Sequence, residues 1–378
     1  MIFLDRNVKL NTVVLRRWKT KMKKVGKQVL MLATGNDNPR NGEGDFVRLS
    51  DGRIMYAYTR YSGDDWNDHC PADIVAIYSS DEGESWTREK VLFAHDEKTK
   101  NFMCANLFRT NAEKLGIIYL RKDINGAAVP CFSYSEDEGK SWSDAIECIN
   151  SDKYYVLENG KVIRLSSGRI LIPLNYHPLS GDNREISFCG EMVFVASDDD
   201  GKSWFFVCDP VCIPYDVQNS GAGLQETVVY EKNDGSLRAY SRTDLFCQYE
   251  STSKDGGCTW SVPVPNVFFS SPLSPLGLKK SNRTVYAVFN PTPVYTSRDG
   301  DKTNPLWHRT PLVLSASSDD GANFEKVFFL EDDPDNTYCY PAIFDGGDYL
   351  LVAYYHSNDS KITLSSCKIS KIMKSEME

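Results

Sequence analysis

The sequence predicts an all-β fold, a six-bladed β-propeller whose blades are four-stranded antiparallel sheets. Three observations lead to this prediction: a turn motif that repeats along the chain, a second repeated turn upstream of each copy, and apolar runs of β type beside both. The chain has 378 residues, of which 41% are hydrophobic and 25% charged, and this composition excludes a disordered or collagen-like protein. The period of the repeat and the number of strands it implies together favour a propeller.

The first repeat reads Ser-x-Asp-x-Gly-x-(Ser/Thr)-Trp and predicts a tight turn between two strands. Serine and aspartate side chains bond backbone amides in such turns, glycine takes positive φ, and tryptophan covers the apolar end of a hairpin. We therefore expect these aspartates to have a structural role at exposed hairpins, away from any ligand. The central aspartates of four complete copies and a degraded fifth copy are Asp81, Asp137, Asp199, Asp255 and Asp319.

The second repeat is a polar turn flanked by apolar runs, as in Phe46–Tyr58 and Val162–Pro173. Because it accompanies the first repeat in units of about 60 residues, each unit is expected to contain two hairpins, and hence four strands. The sixth unit lacks the aspartate pattern, and we expect the N-terminal run Gln28–Ala33 to supply its fourth strand. The turns of the second repeat are centred on Gly52, Gly116, Gly168, Gly235, Asn282 and Gly347.

Residues 1–24 are predicted to be a basic appendage, and residues 25–378 a single propeller domain. The first 28 residues contain nine lysines or arginines and one aspartate, a charge of +8, whereas the whole chain carries −9. The other 350 residues therefore carry −17. An acidic body of this kind argues against nucleic acid as a partner.

The eleven cysteines lack the paired spacing of a zinc site and are expected to be reduced and mostly buried. No metal or cofactor is predicted. No apolar run approaches the roughly 20 residues that span a bilayer, so no integral membrane segment is expected. The N-terminus shows no continuous apolar region of a signal peptide, which predicts a cytoplasmic protein, or a secreted or periplasmic one if a leader precedes this chain. The oligomeric state is not predicted.

The aspartate repeats resemble the Asp boxes of the sialidase (neuraminidase) superfamily, whose members carry such hairpins on a six-bladed propeller. The resemblance extends from about residue 28 to residue 370. It implies an exo-acting, retaining glycoside hydrolase that releases terminal sialic acid or a related acidic sugar from glycans. Because one fold hosts many functions, this expectation depends on the residues of the site.

The resemblance also implies which side chains the site contains. Sialic acid bears a carboxylate on its anomeric carbon, and guanidinium groups bind carboxylates with two parallel hydrogen bonds. A carboxylate nucleophile would be repelled by that anion, and family sialidases use a tyrosine hydroxyl that a glutamate deprotonates, with a separate aspartate as acid/base. The family pattern is therefore three arginines, a tyrosine–glutamate pair and one aspartate.

Glu226 and Arg242 match a family segment in which a glutamate begins an inner strand and an arginine ends its hairpin partner sixteen residues later. A hairpin returns these two positions side by side, so both can face one ligand. Arg40 corresponds to the first family arginine, although Pro39–Glu43 replaces the usual Arg-Ile-Pro. Arg309 precedes the degraded fifth repeat, where the family has its third arginine. The three arginines are expected to bind the substrate.

Tyr340 begins the last inner strand, where the family places its nucleophile, and Tyr338, expected on the same face of the strand, is the alternative. The acid/base aspartate is expected in the polar loop after Arg60. Counting forward from Arg60 favours Asp65, whereas counting back along the following strand favours Asp68. We prefer Asp68, because insertions and deletions accumulate in loops.

Two other functions remain open. The absence of Arg-Ile-Pro and the additional Glu43 favour a propeller hydrolase or lyase for uronate-containing glycans, since an acidic neighbour would alter what the pocket accepts. A non-catalytic glycan-binding propeller would bind its ligand without turnover. An acidic glycan or sialoside is the expected partner in each case.

Overall fold

The structure is a computed structural model that describes residues 22–124, 127–151, 153–180, 185–214, 220–292, 309–357 and 365–378. Most of the predicted basic appendage, residues 1–21, lies outside the described residues. Within the described ranges the regular secondary structure is β, apart from a short 3-10 helix over Lys374–Met377, which confirms the all-β prediction. In this part of the chain, no helix has the length and apolarity needed to cross a bilayer.

The strands form antiparallel groups that follow one another along the chain, after an N-terminal strand β1 (Lys27–Leu32). The first group consists of β2 (Asn41–Arg48), β3 (Ile54–Tyr61), β4 (Ala72–Ser79) and β5 (Lys90–Phe93). The second group consists of β6 (Thr99–Arg109), β7 (Leu115–Asp123), β8 (Ala128–Ser135) and β9 (Ile146–Glu147). The third consists of β10 (Tyr154–Val156), β11 (Ile163–Arg164), β12 (Ile170–His177), a short hairpin of β13 (Leu179–Ser180) and β14 (Glu185–Ile186), then β15 (Glu191–Ser197) and β16 (Phe205–Phe206).

Three further groups are separate four-stranded sheets. The first is β17 (Gln225–Glu231), β18 (Leu237–Arg242), β19 (Cys247–Ser253) and β20 (Val264–Ser270). The next is β21 (Gly277–Ser281), β22 (Thr284–Phe289), β23 (Leu312–Ser317) and β24 (Lys326–Glu331). The last contains β25 (Thr337–Asp345), β26 (Tyr349–Ser357) and β27 (Ser366–Met373). Strand β1 pairs antiparallel with β27, which confirms that the N-terminal run completes the last sheet.

The core lies between successive groups, because each group buries both faces. Adjacent side chains of β3 point in opposite directions: Met55 packs against Ile117 of the second group, whereas Tyr56 packs in a cluster with Leu351 of the last group. The other clusters likewise combine side chains of two successive groups. Because both faces are buried, the strands contain long apolar runs in addition to the alternation of apolar and polar residues that is typical of a half-exposed sheet.

The turns of the first repeat have the hydrogen bonds that the residue types predict. In the third copy, Ser197 Oγ donates to Asp199 Oδ1 at 2.8 Å, and the amide of Ser203 donates to the same oxygen at 2.9 Å. Gly201 has φ 90°, and a Cβ atom there would lie 2.2 Å from the ring of Phe132. The indole of Trp204 donates to the Gly201 carbonyl at 3.1 Å. The Asp199 carboxylate therefore links the two ends of the turn through hydrogen bonds.

We expect Asp199→Ala to lower the melting temperature by several degrees, while the activity of the folded protein changes less than about twofold. Hydrogen bonds from the Ser203 hydroxyl and amide lower the pKa of Asp199 to about 2, so its stabilisation is present above the usual carboxyl pKa and is lost as the pH falls towards 2. Calorimetry at pH 7 and pH 2 checks both statements. A loss of turnover at unchanged melting temperature would contradict the structural role.

One turn of the second repeat lies elsewhere than predicted. Gly116 is inside β7, opposite Phe108 and Tyr134, and the turn itself runs from Thr110 to Lys114. The reason is steric, because a Cβ at Gly116 would lie 2.9 Å from the Phe108 ring. This glycine therefore makes room for packing between strands, and the prediction of a turn centred on it is wrong.

Candidate active site

Two of the candidate residues, Glu226 and Tyr340, lie in β-bulges in the first strands of their groups. Pairing shifts register in β2, β6, β17 and β25, and in each shift a residue other than glycine has positive φ. These residues are Glu43 (54°), Cys104 (60°), Glu226 (46°) and Tyr340 (55°). The left-handed conformation costs roughly 1–2 kcal/mol per residue, and a bulge redirects a side chain out of the alternation of the strand. The backbone is thus strained locally at these four residues, and the bulges change the direction of their side chains.

Tyr340 and Glu226 form the central pair of the site. The Tyr340 hydroxyl donates to Glu226 Oε1 at 2.7 Å, and Glu226 Oε2 lies 2.7 Å from Nη1 of Arg242. Arg242 Nη2 also donates to the side-chain oxygen of Gln225. Burial and the charge of Glu226 raise the pKa of Tyr340 well above its usual range, although Arg242 and Arg309 oppose this. The tyrosine is therefore a neutral phenol whose proton already points at a carboxylate.

Arg309 lies beside this pair and is almost completely buried, with 1% of its surface exposed. Its Nε donates to the carbonyl of Leu273 at 3.0 Å, and its guanidinium carbon lies 5.4 Å from the centre of the Tyr340 ring. These contacts with the backbone and an aromatic ring hold the guanidinium plane in place.

Arg40 is held from several directions. Its Nε donates to the Tyr355 hydroxyl at 2.8 Å, its Nη2 donates to Glu43, and its Nη1 donates to Asp68 Oδ1 at 2.6 Å. Burial raises the pKa of Glu43, against the effect of the Arg40 charge. Glu43 is therefore a buried carboxyl partner of Arg40.

The two candidate acid/base residues have different surroundings. The side chain of Asp68 is 56% exposed and contacts Arg40. Partial burial tends to raise its pKa, but Arg40 and Lys122 outweigh this and lower it to about 2. The Asp65 carboxylate is bonded within its own loop, where it accepts from the amide of Trp66 at 2.7 Å.

Tyr338 does not share the surroundings of Tyr340. It is 1% exposed and packs in an apolar cluster with Leu312 and Leu350. The bulge between Cys339 and Ala342 interrupts the two-residue alternation, so the prediction that both tyrosines lie on the same face is wrong.

One cavity of about 390 Å³ collects six of the seven predicted residues, and Asp65 is not part of its wall. This volume is typical of small-molecule sites. Within the described residues, no three His, Cys, Asp or Glu side chains are grouped so as to hold a metal ion. The predicted residues that line the cavity are Arg40, Asp68, Glu226, Arg242, Arg309 and Tyr340. Their catalytic and binding roles stay predictions.

Several residues of the cavity wall were not predicted, among them Trp66, His177 and Tyr355. Tyr355 lies opposite Cys339 across the β25–β26 hairpin, much as Arg242 lies opposite Gln225 in β17–β18. The same hairpin comparison, applied to the last unit, could therefore have identified Tyr355. No spacing in the sequence indicates His177 or Trp66.

Glu158 is a buried carboxyl group near this site. It is 4% exposed, and neither carboxyl oxygen has a well-formed hydrogen bond within the described residues. The Lys161 ammonium lies 3.3 Å from Oε1. Burial raises the pKa of Glu158 to about 8, because the charges of Lys161 and Arg242 offset desolvation and the nearby Glu226 only in part.

We expect Glu158→Gln to flatten the pH dependence of stability between about pH 5 and pH 8. The folded protein binds a proton at Glu158 up to about pH 8, whereas the unfolded chain releases it near 4.5, so stability falls as the pH rises through this window. The slope from this one group is at most about 1.4 kcal/mol per pH unit. Urea unfolding at several pH values measures it, with the exposed Glu136→Gln as control. Equal slopes in the wild type and Glu158→Gln would contradict the assignment.

Comparisons with known proteins agree with this architecture. Residues 71–352 match the family described as BNR repeat-like domain. The chain is 29% identical over 243 residues to the anhydrosialidase of Macrobdella decora, and the alignment covers 60% of this chain but only 29% of that protein.

Solved structures of sialidases are also similar. A leech intramolecular trans-sialidase, complexed with 2,7-anhydro-Neu5Ac, has a TM-score of 0.72 at 15% identity, covering 94% of this chain and 71% of that one. The intramolecular trans-sialidase from Ruminococcus gnavus has a TM-score of 0.69 at 14% identity, covering 94% and 98%. Such low identities carry information on the fold alone. Together with the family match, they show that this chain belongs to the BNR repeat-like domain family of the sialidase superfamily and has its all-β, propeller-type fold.

Proposed function

We propose that the protein is an exo-acting, retaining glycoside hydrolase for terminal sialic acid or a closely related acidic sugar. The observation that carries this proposal is the 2.7 Å hydrogen bond from the Tyr340 hydroxyl to Glu226, in a cavity that also contains three buried arginines. A neutral tyrosine nucleophile suits a substrate that is anionic at the reacting carbon, because that anion would repel a carboxylate nucleophile. The arginines supply the matching positive charge.

In the first step, Tyr340 Oη forms a bond to the anomeric carbon as the glycosidic bond breaks. The phenol proton passes to Glu226 Oε1, and Asp68 gives its proton to the leaving oxygen. In the second step, Asp68 takes a proton from water, the resulting hydroxide attacks the same carbon, and Tyr340 leaves and recovers its proton from Glu226. Two displacements at one carbon retain its configuration.

Asp68 must be protonated for the first step, yet the charges of Arg40 and Lys122 lower its pKa to about 2. The substrate carboxylate offers a solution, because it competes with Asp68 for Arg40 Nη1. Displaced from Arg40 and placed beside a new negative charge, Asp68 loses the interaction that lowers its pKa. Substrate binding thus prepares the acid. Asp65 has no such contact, which favours Asp68 of the two alternatives.

The geometry weakens the alternative of a uronate-specific enzyme. Glu43, which motivated it, is 4% exposed and bonded to Arg40, and it does not line the cavity. A non-catalytic lectin would not need a tyrosine bonded to a glutamate. Intramolecular transfer is a second candidate, since one relative is an anhydrosialidase and the cavity wall includes the apolar Trp66, Ile186 and Phe188.

The proposal includes six blades. The clusters between successive groups include one that joins Tyr56 of the first group to Leu351 of the last. Side-chain packing and individual hydrogen bonds, such as that from the Asn41 amide to the Ser365 carbonyl at 2.8 Å, then close the ring between the first and last groups.

Incubation with 3'-sialyllactose and with a uronate oligosaccharide, followed by mass spectrometry and proton NMR, tests this function. We expect release of free sialic acid, first as the anomer present in the substrate. A product lighter by one water would indicate intramolecular transfer. Turnover of the uronate alone, or binding without turnover, would overturn the proposal.

A further inference from the structure

The cavity contains a histidine that the proposed mechanism does not use. His177 ends β12, is 7% exposed, and lines the same cavity as Glu226 and Arg242. Its ring stands edge-on to Tyr154, with 6.2 Å between the ring centres. A Cβ at position 190, which is glycine, would lie 3.2 Å from its Cε1 atom. The ring is therefore held between two strands and the backbone at Gly190.

One contact determines which ring nitrogen carries the proton. Nδ1 lies 2.9 Å from the carbonyl oxygen of Ser187, which can only accept, so Nδ1 is the protonated nitrogen. Burial and the nearby Arg242 lower the pKa of His177, against the effects of Ser187 and Glu226, and the ring is therefore neutral at neutral pH. A neutral ring with a proton on Nδ1 has a lone pair on Nε2. Nε2 has no hydrogen-bond partner within the described residues.

The adjacent polar side chain on this wall is already occupied. Gln225 Nε2 donates to the carbonyl of Phe188 at 2.6 Å, and the Gln225 side-chain oxygen accepts from Arg242. The Glu226 oxygens are likewise engaged by Tyr340 and Arg242. His177 Nε2 is therefore an uncharged acceptor beside an amide and a carboxylate that already face partners within the protein.

We propose that His177 Nε2 accepts a hydrogen bond from a hydroxyl or amide N–H group of the bound sugar, and that His177 is a specificity-determining residue of this site. The inference rests on the proposed function. The arginines recognise the anion, which is common to many acidic sugars, whereas an uncharged acceptor recognises a donor elsewhere on the ring. A site built to bond such a donor rejects analogues that lack it, because its polar group is then left unpaired.

Two variants remove Nε2 while keeping the packing. His177→Phe retains the ring against Tyr154 and Gly190. His177→Asn places an amide nitrogen near the position of Nδ1, so that it can still donate to Ser187, and it keeps the proposal testable if the phenylalanine variant does not fold. His356, whose ring packs against Tyr338 outside the cavity wall, provides a matched control as His356→Phe.

The experiment measures kcat and KM for a sialoside and for analogues in which single hydroxyl groups or the acylamino N–H are removed. For wild type, we expect kcat/KM to fall about tenfold or more when one such group is deleted from the substrate. For the His177 variants, we expect kcat/KM on the complete sialoside to be about tenfold below wild type, with no further decrease when the substrate lacks that same group. His356→Phe should match wild type throughout. Additive losses for every analogue, or an unchanged kcat/KM in folded His177 variants, would overturn the inference alone. No turnover of any sialoside by wild type would overturn the proposed function, and this inference with it.

Discussion

Tyr340→Phe is expected to reduce turnover of a sialoside by about 10³-fold or more while ligand binding largely survives. The substitution removes one oxygen and keeps the ring, so the contacts of the ring with Tyr355 and Arg309 remain and no cavity forms. What is lost is the bond-forming atom and the hydrogen bond to Glu226. Single-turnover kinetics together with calorimetric titration of an unsaturated sialic-acid analogue separates chemistry from binding.

Tyr338→Phe is the matched control, since it makes the same chemical change two residues away in an apolar cluster. It should keep wild-type turnover. A fluorinated sialosyl donor should label the wild type at Tyr340 and leave Tyr340→Phe unlabelled. Wild-type turnover by Tyr340→Phe, or a label on another residue, would show that Tyr340 is not the nucleophile.

Arg309→Lys is expected to raise KM by about 100-fold, with a smaller change in kcat. Lysine keeps the positive charge but lacks the planar fork that engages both oxygens of a carboxylate, and it cannot reproduce the donation from Nε to the Leu273 carbonyl. Loss of a hydrogen bond to a charged, buried group has an effect of this order. Steady-state kinetics on a sialoside and its carboxyl methyl ester measure it.

The methyl ester makes this test specific. Wild type should discriminate strongly between the acid and the ester, and the lysine variant should discriminate much less. Arg169→Lys is the control for loss of a guanidinium group that donates two parallel hydrogen bonds. Arg169 donates to both oxygens of Asp198, at 2.6 and 2.8 Å, on a turn outside the cavity wall. An unchanged KM in folded Arg309→Lys would mean that Arg309 does not bind the carboxylate.

The sequence alone was sufficient to predict the fold class and the family, because both depend on local patterns that repeat. A turn such as that around Asp199 is specified by residues within seven positions of one another, so its geometry can be read from the chain. The sixteen-residue separation of Glu226 and Arg242 is likewise a hairpin distance, and register converts it into proximity. Residues predicted in this way, including Arg40 and Arg309, do line one cavity.

Tertiary structure alone decided where the bulges lie and which side chains they aim into the cavity. Glu226 and Tyr340 adopt positive φ although neither residue type favours it, because packing between groups compensates for the strain. Partners from distant parts of the chain followed from the same packing: Tyr355 accepts a hydrogen bond from Arg40, and Tyr340 donates one to Glu226. These contacts depend on the mutual positions of separate sheets, and no local spacing encodes them.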